Sequence, residues 1–340
     1  MSVTIKEIAE IAGVHRSTVD KVLHNREGVS DEVRERVKNI IHELGYEPNI
    51  IGKALSYQKK TLLVPVLLLD FDTLEEMKAG IEEAYREYKQ FGLKIQYYIT
   101  SNSDPVEQLN IINHLKKKKI SGLIITPLND IRIRNAIDEI VDEGIPVITT
   151  NIDLPESKRM CFVGQDMLKA GRVAGELMGE ILNGHGKVAI ITDSKIQSFV
   201  QKRQEGFEKV IKNTYPNIEI VDVVETYEQK LTTFQKTKSL LDKIEDLKGI
   251  YITCGNVSEV GKVVRFMNKD KQVKIVSFDV YPEIVQLIKE DVINFTIAQD
   301  LFSQGYKPLK ILFDYLYHEK KPETEHIKTS IDIKIKGNIE

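Results

Sequence analysis

Residues 3–49 read VTIKEIAEIAGVHRSTVDKVLHNREGVSDEVRERVKNIIHELGYEPN, and the spacing of their apolar positions sets the start of the fold. Thr4-Ile5-Lys6-Glu7 has capping-box form: the Thr hydroxyl accepts from the Glu7 amide while the Glu carboxylate reaches back. Ile5, Ile8, Ala9 and Ala12 follow at helical spacing, and Gly13 is a natural helix stop. A second short helix buries Val19, Val22 and Leu23. A third begins after Ser30, with Asp31 and Glu32 favourable in its first turn. It runs through Val33, Val37, Ile40, Ile41 and Leu44. Three short helices with Ala-Gly-Val between the first two predict a helix-turn-helix.

The chain has 340 residues, is 41% hydrophobic and 29% charged, and carries a net charge of −3. That composition is globular, large enough for two or three domains, and excludes a broad basic field. Any nucleic-acid contact must therefore come from a local patch. One such patch is His15, Arg16, Lys21, His24 and Arg26, on and around the second helix with Asp20 alone opposing them. A solvated helical face is the bland alternative. The two cysteines, Cys161 and Cys254, suit neither a disulfide framework nor a thiol metal site, so a reducing, cytoplasmic setting is expected. Neither a secretory leader nor a membrane-spanning run is read in the sequence.

The opening stretch resembles the DNA-binding headpiece of the lactose-repressor family along its whole length. VTI at the start, AGV at the turn, TV-x-x-VL in the second helix, VS before the third and LGY-x-PN at its end carry the likeness. The resemblance implies that the second helix enters the major groove. It places Arg16, Ser17 and Lys21 at base-reading positions, with Thr4, His15, Thr18 and Asn25 also among the DNA contacts. Arg and Lys suit the adjacent N7 and O6 acceptors of guanine. Two departures stand out: His15 replaces the usual capping serine, and Asp20 replaces a serine beside the phosphates. The operator sequence therefore cannot be taken over from a relative.

Residues 1–46 are expected to form this headpiece and 47–60 a hinge helix or linker. Pro48-Asn49-Ile50-Ile51-Gly52-Lys53-Ala54-Leu55-Ser56 aligns with the family hinge, which folds when two copies meet in the minor groove. Leu55 matches its wedge residue, which unstacks a base step at a cost of a few kcal/mol and gains a bent, better-wrapped duplex. The alternative for Leu55 is a linker residue packed on the next domain.

Residues 61–340 change pattern. LLVPVLLL, KIQYYIT, SGLIIT and IPVITT read as strands separated by amphipathic helices. KVAIIT, IEIVDVV, GIYITC and VKIVSF form a second such series. Two doubly wound parallel units in tandem follow, an α/β sensor of two lobes beside the all-α headpiece. Ligands bind beyond the carboxyl ends of such strands, so facing lobes share one crevice.

This region resembles the periplasmic sugar-binding proteins of the ribose-binding type, as fused in lactose-repressor relatives. VITTNIDLPESKRMCFVGQD-x-x-x-AG, R-Q-E-GF, VSFD and IAQD-x-x-x-QGY carry the resemblance. It implies ligand contacts at Phe71, Asp72, Asn151, Arg203, Asn256, Asp279 and Gln299. Carboxylate, planar guanidinium and amide groups together suit a polyol. Asp279 and Asn256 have a competing reading as helix caps.

Asn183-Gly184-His185-Gly186-Lys187 lacks the spacing of a phosphate loop and reads as a turn. Gly171, Gly175 and Gly179 suggest close helix packing, and Lys116–Lys119 a solvated helix end. Neither a metal site nor a cofactor is expected, and no catalytic constellation is evident. The reading is a homodimeric, DNA-binding transcriptional regulator, expected to be a repressor. A sugar or polyol effector controls it through a coupling of ~1–3 kcal/mol. The rivals are a solute-binding protein without a DNA role and a sugar-modifying enzyme.

Overall fold

The computed structural model describes residues 3–23, 27–44, 61–70, 74–101, 104–192, 198–227, 229–253 and 255–339. The headpiece consists of α1 (Ile5–Ala12), α2 (Arg16–Leu23) and α3 (Asp31–Glu43). The capping box of α1 is formed, with the Thr4 N–H donating to Glu7 Oε2 at 2.7 Å and the Glu7 N–H donating to Thr4 Oγ1 at 3.3 Å. Gly13 closes α1 at φ 62°, and its N–H donates to the Ala9 and Glu10 carbonyls. That left-handed turn brings α2 back across α1 and is one that glycine adopts without steric cost. Ile8, Ala9, Ala12, Val19, Val22 and Val37 make a small core between the three helices.

The rest of the described chain holds two six-stranded sheets. The first contains β1 (Leu62–Leu69), β2 (Leu93–Thr100), β3 (Leu123–Ile125), β4 (Val147–Thr150) and β5 (Cys161–Gly164). The second contains β6 (His185–Thr192), β7 (Asn217–Glu225), β8 (Leu247–Ile252), β9 (Lys274–Phe278) and β10 (Phe295–Ala298). The tail adds β11 (His326–Lys328), parallel to β5, and β12 (Asp332–Lys334), antiparallel to β10. The orders are β11-β5-β4-β3-β1-β2 and β12-β10-β9-β8-β6-β7. The two sheets thus repeat one topology. β5, β11 and β12 go beyond the strands read from the sequence: each has only three or four residues, and β11 and β12, with exposed or half-buried residues, lack the apolar run that marks β3 and β4.

The first lobe carries α4 (Leu74–Tyr88), α5 (Pro105–Lys116), α6 (Ile131–Asp142) and the late α12 (Leu301–His318). The second carries α7 (Met167–Ile181), α8 (Ser198–Thr214), α9 (Lys230–Lys243), α10 (Val257–Phe266) and α11 (Pro282–Lys289). Apolar clusters fill both faces of each sheet, which explains why strands such as LLVPVLLL are apolar in succession rather than alternating.

The chain passes between lobes three times: from β5 to α7, from β10 to α12, and from β11 to β12. The helix after each of the first two crossings packs against the first helix of the lobe it joins. A Cβ at Gly171 of α7 would lie 2.1 Å from the Arg203 carbonyl of α8, and one at Gly305 of α12 would lie 2.0 Å from the Met77 carbonyl of α4. The reciprocal glycines, Gly206 and Gly80, are equally closed, at 2.2 and 2.0 Å from Leu168 and Phe302 carbonyls. The glycine spacing in α7 therefore reports helix–helix contact, as its sequence pattern suggests.

Gly171→Val must push α7 off the backbone of α8. We expect a loss of at least about 1–3 kcal/mol, read as a lower urea midpoint. An unchanged midpoint would contradict the crossing described here.

Candidate functional site: a crevice at the lobe hinge and a helix-turn-helix face

Apart from Arg203, each candidate ligand residue in the described chain sits at the carboxyl end of a strand or about one helical turn beyond it. Asn151 follows β4, Asn256 lies beyond β8, Asp279 follows β9 and Gln299 follows β10. Asn151, Asn256 and Asp279 all have left-handed backbones, at φ 64°, 46° and 70°. Asn and Asp tolerate that region better than other side-chain-bearing residues, which gives a local reason for those residue types at these turns. Phe71 and Asp72 lie outside the described residues.

Arg203, in the second turn of α8, is 1% exposed. Its guanidinium lies 3.6 Å from the centre of the Phe278 ring, and Nη1 donates to the Thr253 carbonyl at 2.8 Å. The backbone beneath it is fixed twice, by the Gly171 contact and by the Tyr251 hydroxyl, which donates to the Arg203 carbonyl at 3.3 Å. A planar, permanently charged group stacked on an aromatic face keeps its orientation. Around it the second lobe presents a hydroxyl floor, with Thr253 Oγ1 donating to Thr192 Oγ1 at 2.9 Å.

Asp279 is not a helix cap. The following helix is capped at Tyr281, and Asp279 Oδ1 accepts a short hydrogen bond from Gln299 Nε2. Asn256 does precede α10, but its side chain makes no capping bond, and its buried Nδ2 has no hydrogen-bond partner among the described residues. A buried amide donor without a partner is costly, and a ligand acceptor would satisfy it.

The structure adds a group of residues that sequence reasoning missed. Gln304 Nε2 donates to the Gln299 carbonyl at 2.6 Å, while Gln304 Oε1 accepts from Asn151 Nδ2 at 3.0 Å. A polar relay therefore runs from Asp279 in the second lobe through Gln299 and Gln304 to Asn151 in the first. Thr329, on the third crossing, donates to the Gln299 carbonyl at 3.1 Å, and Gln165, on the first, donates to the Ala298 and Ser330 carbonyls at 3.0 and 3.2 Å. All three passages are thus tied together by side-chain amides and a hydroxyl. The signal for it was present as a repeat: Gln165-Asp166 with Gly171, and Gln299-Asp300 with Gly305. Asp166 and Asp300 cap α7 and α12 in the same way.

A crevice of about 490 Å³ opens beside this hinge, lined from both lobes by residues that include Asn151, Asp153, Gln165, Lys202 and Glu205; of the candidate ligand residues Asn151 lines it, and Arg203, Asn256, Asp279 and Gln299 do not. Its first-lobe wall is braced by a buried pair: Arg159 Nη2 donates to Asp153 Oδ2 at 2.7 Å, and Thr149 Oγ1 donates to Asp153 Oδ1 at 3.0 Å. Removing one member of a buried pair strands the other, so this brace fixes the turn that carries Asn151. On the same lobe, burial pushes the Glu76 carboxyl of α4 above its ordinary 4.5. A Phe302 backbone hydrogen bond pulls it back, Asp300 and Asp279 push it further, and Lys334 opposes them. Glu76 therefore senses the charge of Asp279.

On the headpiece, His15, Arg16 and Ser17 are exposed and Thr18 and Lys21 half-buried. Ser17 is already engaged: its N–H donates to His15 Nδ1 at 3.3 Å, and its Oγ lies 2.8 Å from the same nitrogen. His15 thus takes the capping role that a serine has in relatives, which requires Nδ1 to be unprotonated. The Thr4 hydroxyl is held by Glu7. Asn25 and Leu55 lie outside the described residues.

Fold and site together define a two-lobed ligand-binding protein fused to a helix-turn-helix. The family model for bacterial regulatory proteins of the lacI family matches residues 4–49, and that for the periplasmic binding protein domain matches residues 69–320. The chain belongs to the family of periplasmic-binding-protein domains over residues 69–320 and carries a lacI-family helix-turn-helix at residues 4–49. It is 28% identical over 247 residues to the HTH-type transcriptional regulator DegA of Bacillus subtilis (strain 168), covering 72% of this chain and 71% of DegA. It is 23% identical over 336 residues to catabolite control protein A of Staphylococcus aureus (strain Mu50 / ATCC 700699), covering 95% of both. Among solved structures, GanP, a glucose-galactose binding protein from Geobacillus stearothermophilus, superposes with a TM-score of 0.75 at 28% identity, over 82% of this chain and 99% of GanP.

The raised Glu76 pKa has a sign. The folded chain holds this proton to higher pH than the unfolded chain, so its contribution to stability is present below pH 4.5 and is lost as pH rises through the folded value. Glu76→Gln should raise the melting temperature at pH 7, and the gain should shrink as the pH is lowered towards 4.5 and below. A gain independent of pH would show that charge at Glu76 is not the cause.

Proposed function

We propose that the protein is a cytoplasmic, homodimeric transcriptional repressor whose operator affinity is set by a small sugar or polyol bound between the lobes. The polar relay from Asp279 to Asn151 is the observation that carries this reading. A ligand that bonds to the carboxylate on one side and the amide on the other draws on groups that are already coupled through the hinge. Its binding therefore favours one lobe angle over another, which is the differential interaction that any ligand-driven shift requires.

The chemistry of the candidate residues around the hinge supports a polyhydroxylated effector. Arg203 supplies a donor fork, Asp279 accepts from adjacent hydroxyls, and Asn151, Asn256 and Gln299 do both. The glucose-galactose specificity stated for GanP is of the same chemical class. Residues 1–46 serve as the DNA-binding unit, 47–60 as the hinge and 61–340 as the sensor. Exposed Arg16 and half-buried Lys21 on α2 supply the base-reading charge. Binding and release, with no chemical step, make the protein a regulator and not an enzyme.

Two sites acting through one hinge give a double dissociation. Arg203→Lys keeps the charge but loses the fork, and it should lower sugar affinity at least tenfold, by calorimetry over a panel of pentoses, hexoses and cyclic polyols, with operator binding intact. Leu55→Ala should do the reverse in a gel shift on fragments from the upstream region of its own gene. If both variants lose both activities, the sites are not separable as described.

The second lobe also presents an apolar face. Leu231 of α9 is 69% exposed and Phe266 of α10 70% exposed, with the Phe234 ring 6.4 Å from that of Phe266 and Tyr227 beside the start of α9. Large apolar side chains clustered in water mark an interface, and the resemblance implies that its occupant is a second copy. Phe266→Glu should convert the dimer to monomer in sedimentation velocity and weaken operator binding. A dimer of unchanged stability would place the interface elsewhere.

A further inference from the structure

The end of the first lobe opposite the crevice is where the chain arrives from the headpiece, and lysines surround that point. β1 lies between β3 and β2, and the three strands are parallel, so their starts share one end of the sheet. The Leu62 N–H donates to the Gly92 carbonyl at 3.0 Å, and the Ser121 N–H donates to the Leu63 carbonyl at 2.8 Å. The turns before β2 and before β3 therefore sit directly on either side of the arriving chain. The first runs Lys89-Gln90-Phe91-Gly92 and is followed by Leu93-Lys94; the second runs from Lys116 to Lys119 and on through Ile120-Ser121. Neither contains an acidic residue.

Lys89, Lys94, Lys117 and Lys119 are exposed, and none of them enters an ion pair among the described residues. Lys116 pairs with Glu139, and Lys118 Nζ donates to the Tyr98 hydroxyl at 3.0 Å. The neighbouring acids are largely engaged: Glu87 accepts from the Tyr306 hydroxyl at 2.9 Å and Asp142 pairs with Lys158 at 2.7 Å, while Glu143 ends α6. A helix C-terminus accounts for cations at Lys116 and Lys117. The end of α4 accounts likewise for Lys89, but no helix end accounts for Lys94, which stands in a strand on the opposite side of β1. In a chain of net charge −3, four exposed like charges around one point repel one another unless a polyanion meets them.

The linker brings that polyanion. Five residues lie between Leu55 and Thr61, an extended span of at most about 20 Å. With Leu55 in the minor groove, this end of the lobe is held beside a duplex bearing one negative charge per ~1.7 Å of axis. We propose that Lys89, Lys94, Lys117 and Lys119 form a collar that contacts the phosphates flanking the site read by the headpiece. The collar adds affinity without sequence preference, and a dimer brings two of them. This rests on the DNA-binding reading above.

The test uses the full-length protein and a duplex that the wild type selects from a random pool, made in two lengths: the core site alone, and the core with ten base pairs added at each end. The variant is K89Q/K94Q/K117Q/K119Q, and affinity is read by fluorescence anisotropy from 50 to 200 mM salt. Each phosphate contact contributes a slope of about −0.9 in log K against log salt. On the long duplex the variant should bind at least tenfold more weakly at 50 mM salt, with a slope shallower by about 2 or more. On the short duplex it should match the wild type, and its melting temperature should be unchanged. Equal slopes on the long duplex, as expected if the collar meets an acidic protein instead, overturn the proposal and leave the DNA-binding reading standing. A wild type that selects no sequence removes both.

Discussion

Everything that the two lobes do together passes through three chain crossings tied by Gln165, Gln299, Gln304 and Thr329. The bonds from Gln165 and Thr329 join a side-chain amide or hydroxyl to a backbone carbonyl on another passage, and Gln304 Nε2 donates to the Gln299 carbonyl within the second passage and to Thr329 Oγ1 on the third. Gln304 is fully buried and Gln165 and Thr329 nearly so, in surroundings where an unmet amide is costly. The lobes therefore rotate about a preserved set of bonds more readily than they slide. The same set contains Asn151 and, through Gln299, Asp279. On the proposed reading, ligand contacts and hinge belong to one network, through which a few hydrogen bonds to a small molecule would reset the angle between two domains.

Rigid helix crossings frame that network. The paired glycines of α7 and α8, and of α4 and α12, let backbones meet at distances that no Cβ permits. The helix bearing Arg203 is thereby locked to the helix that begins at the first crossing. Movement at Gln165 is transmitted to Arg203 through close-packed backbone, and packed interiors transmit displacement instead of absorbing it. Packing of this kind lets each lobe move as a unit in the proposed mechanism, with the headpiece end of the first lobe following its crevice end.

Much of this was legible in the sequence, and the reasons are physical. The headpiece could be read because short helices depend on local signals: the Thr4–Glu7 capping box, the Gly13 stop and apolar spacing. The long strands could be read because strands buried on both faces are apolar in succession. Asp279 and Asn151 were found as strand-end polar residues, and their left-handed backbones supply a reason that only coordinates show. The short strands β5, β11 and β12 were missed because their pairing is set by tertiary context. So was the hinge. Gln304 lies in the first turn of α12 and Thr329 between two short strands, and nothing local marks either position as a hinge contact. Only the repeat of Gln-Asp and a following Gly, at 165–171 and 299–305, encodes the crossings.

The central claim is that occupancy of the crevice changes the grip of the headpieces on DNA. The most direct measurement is operator affinity of the full-length protein by fluorescence anisotropy, with and without a sugar that calorimetry shows to bind. The account predicts a shift of about 5- to 150-fold, lost in Arg203→Lys at the same sugar concentration. An operator affinity that stays constant while the sugar saturates the protein would contradict it.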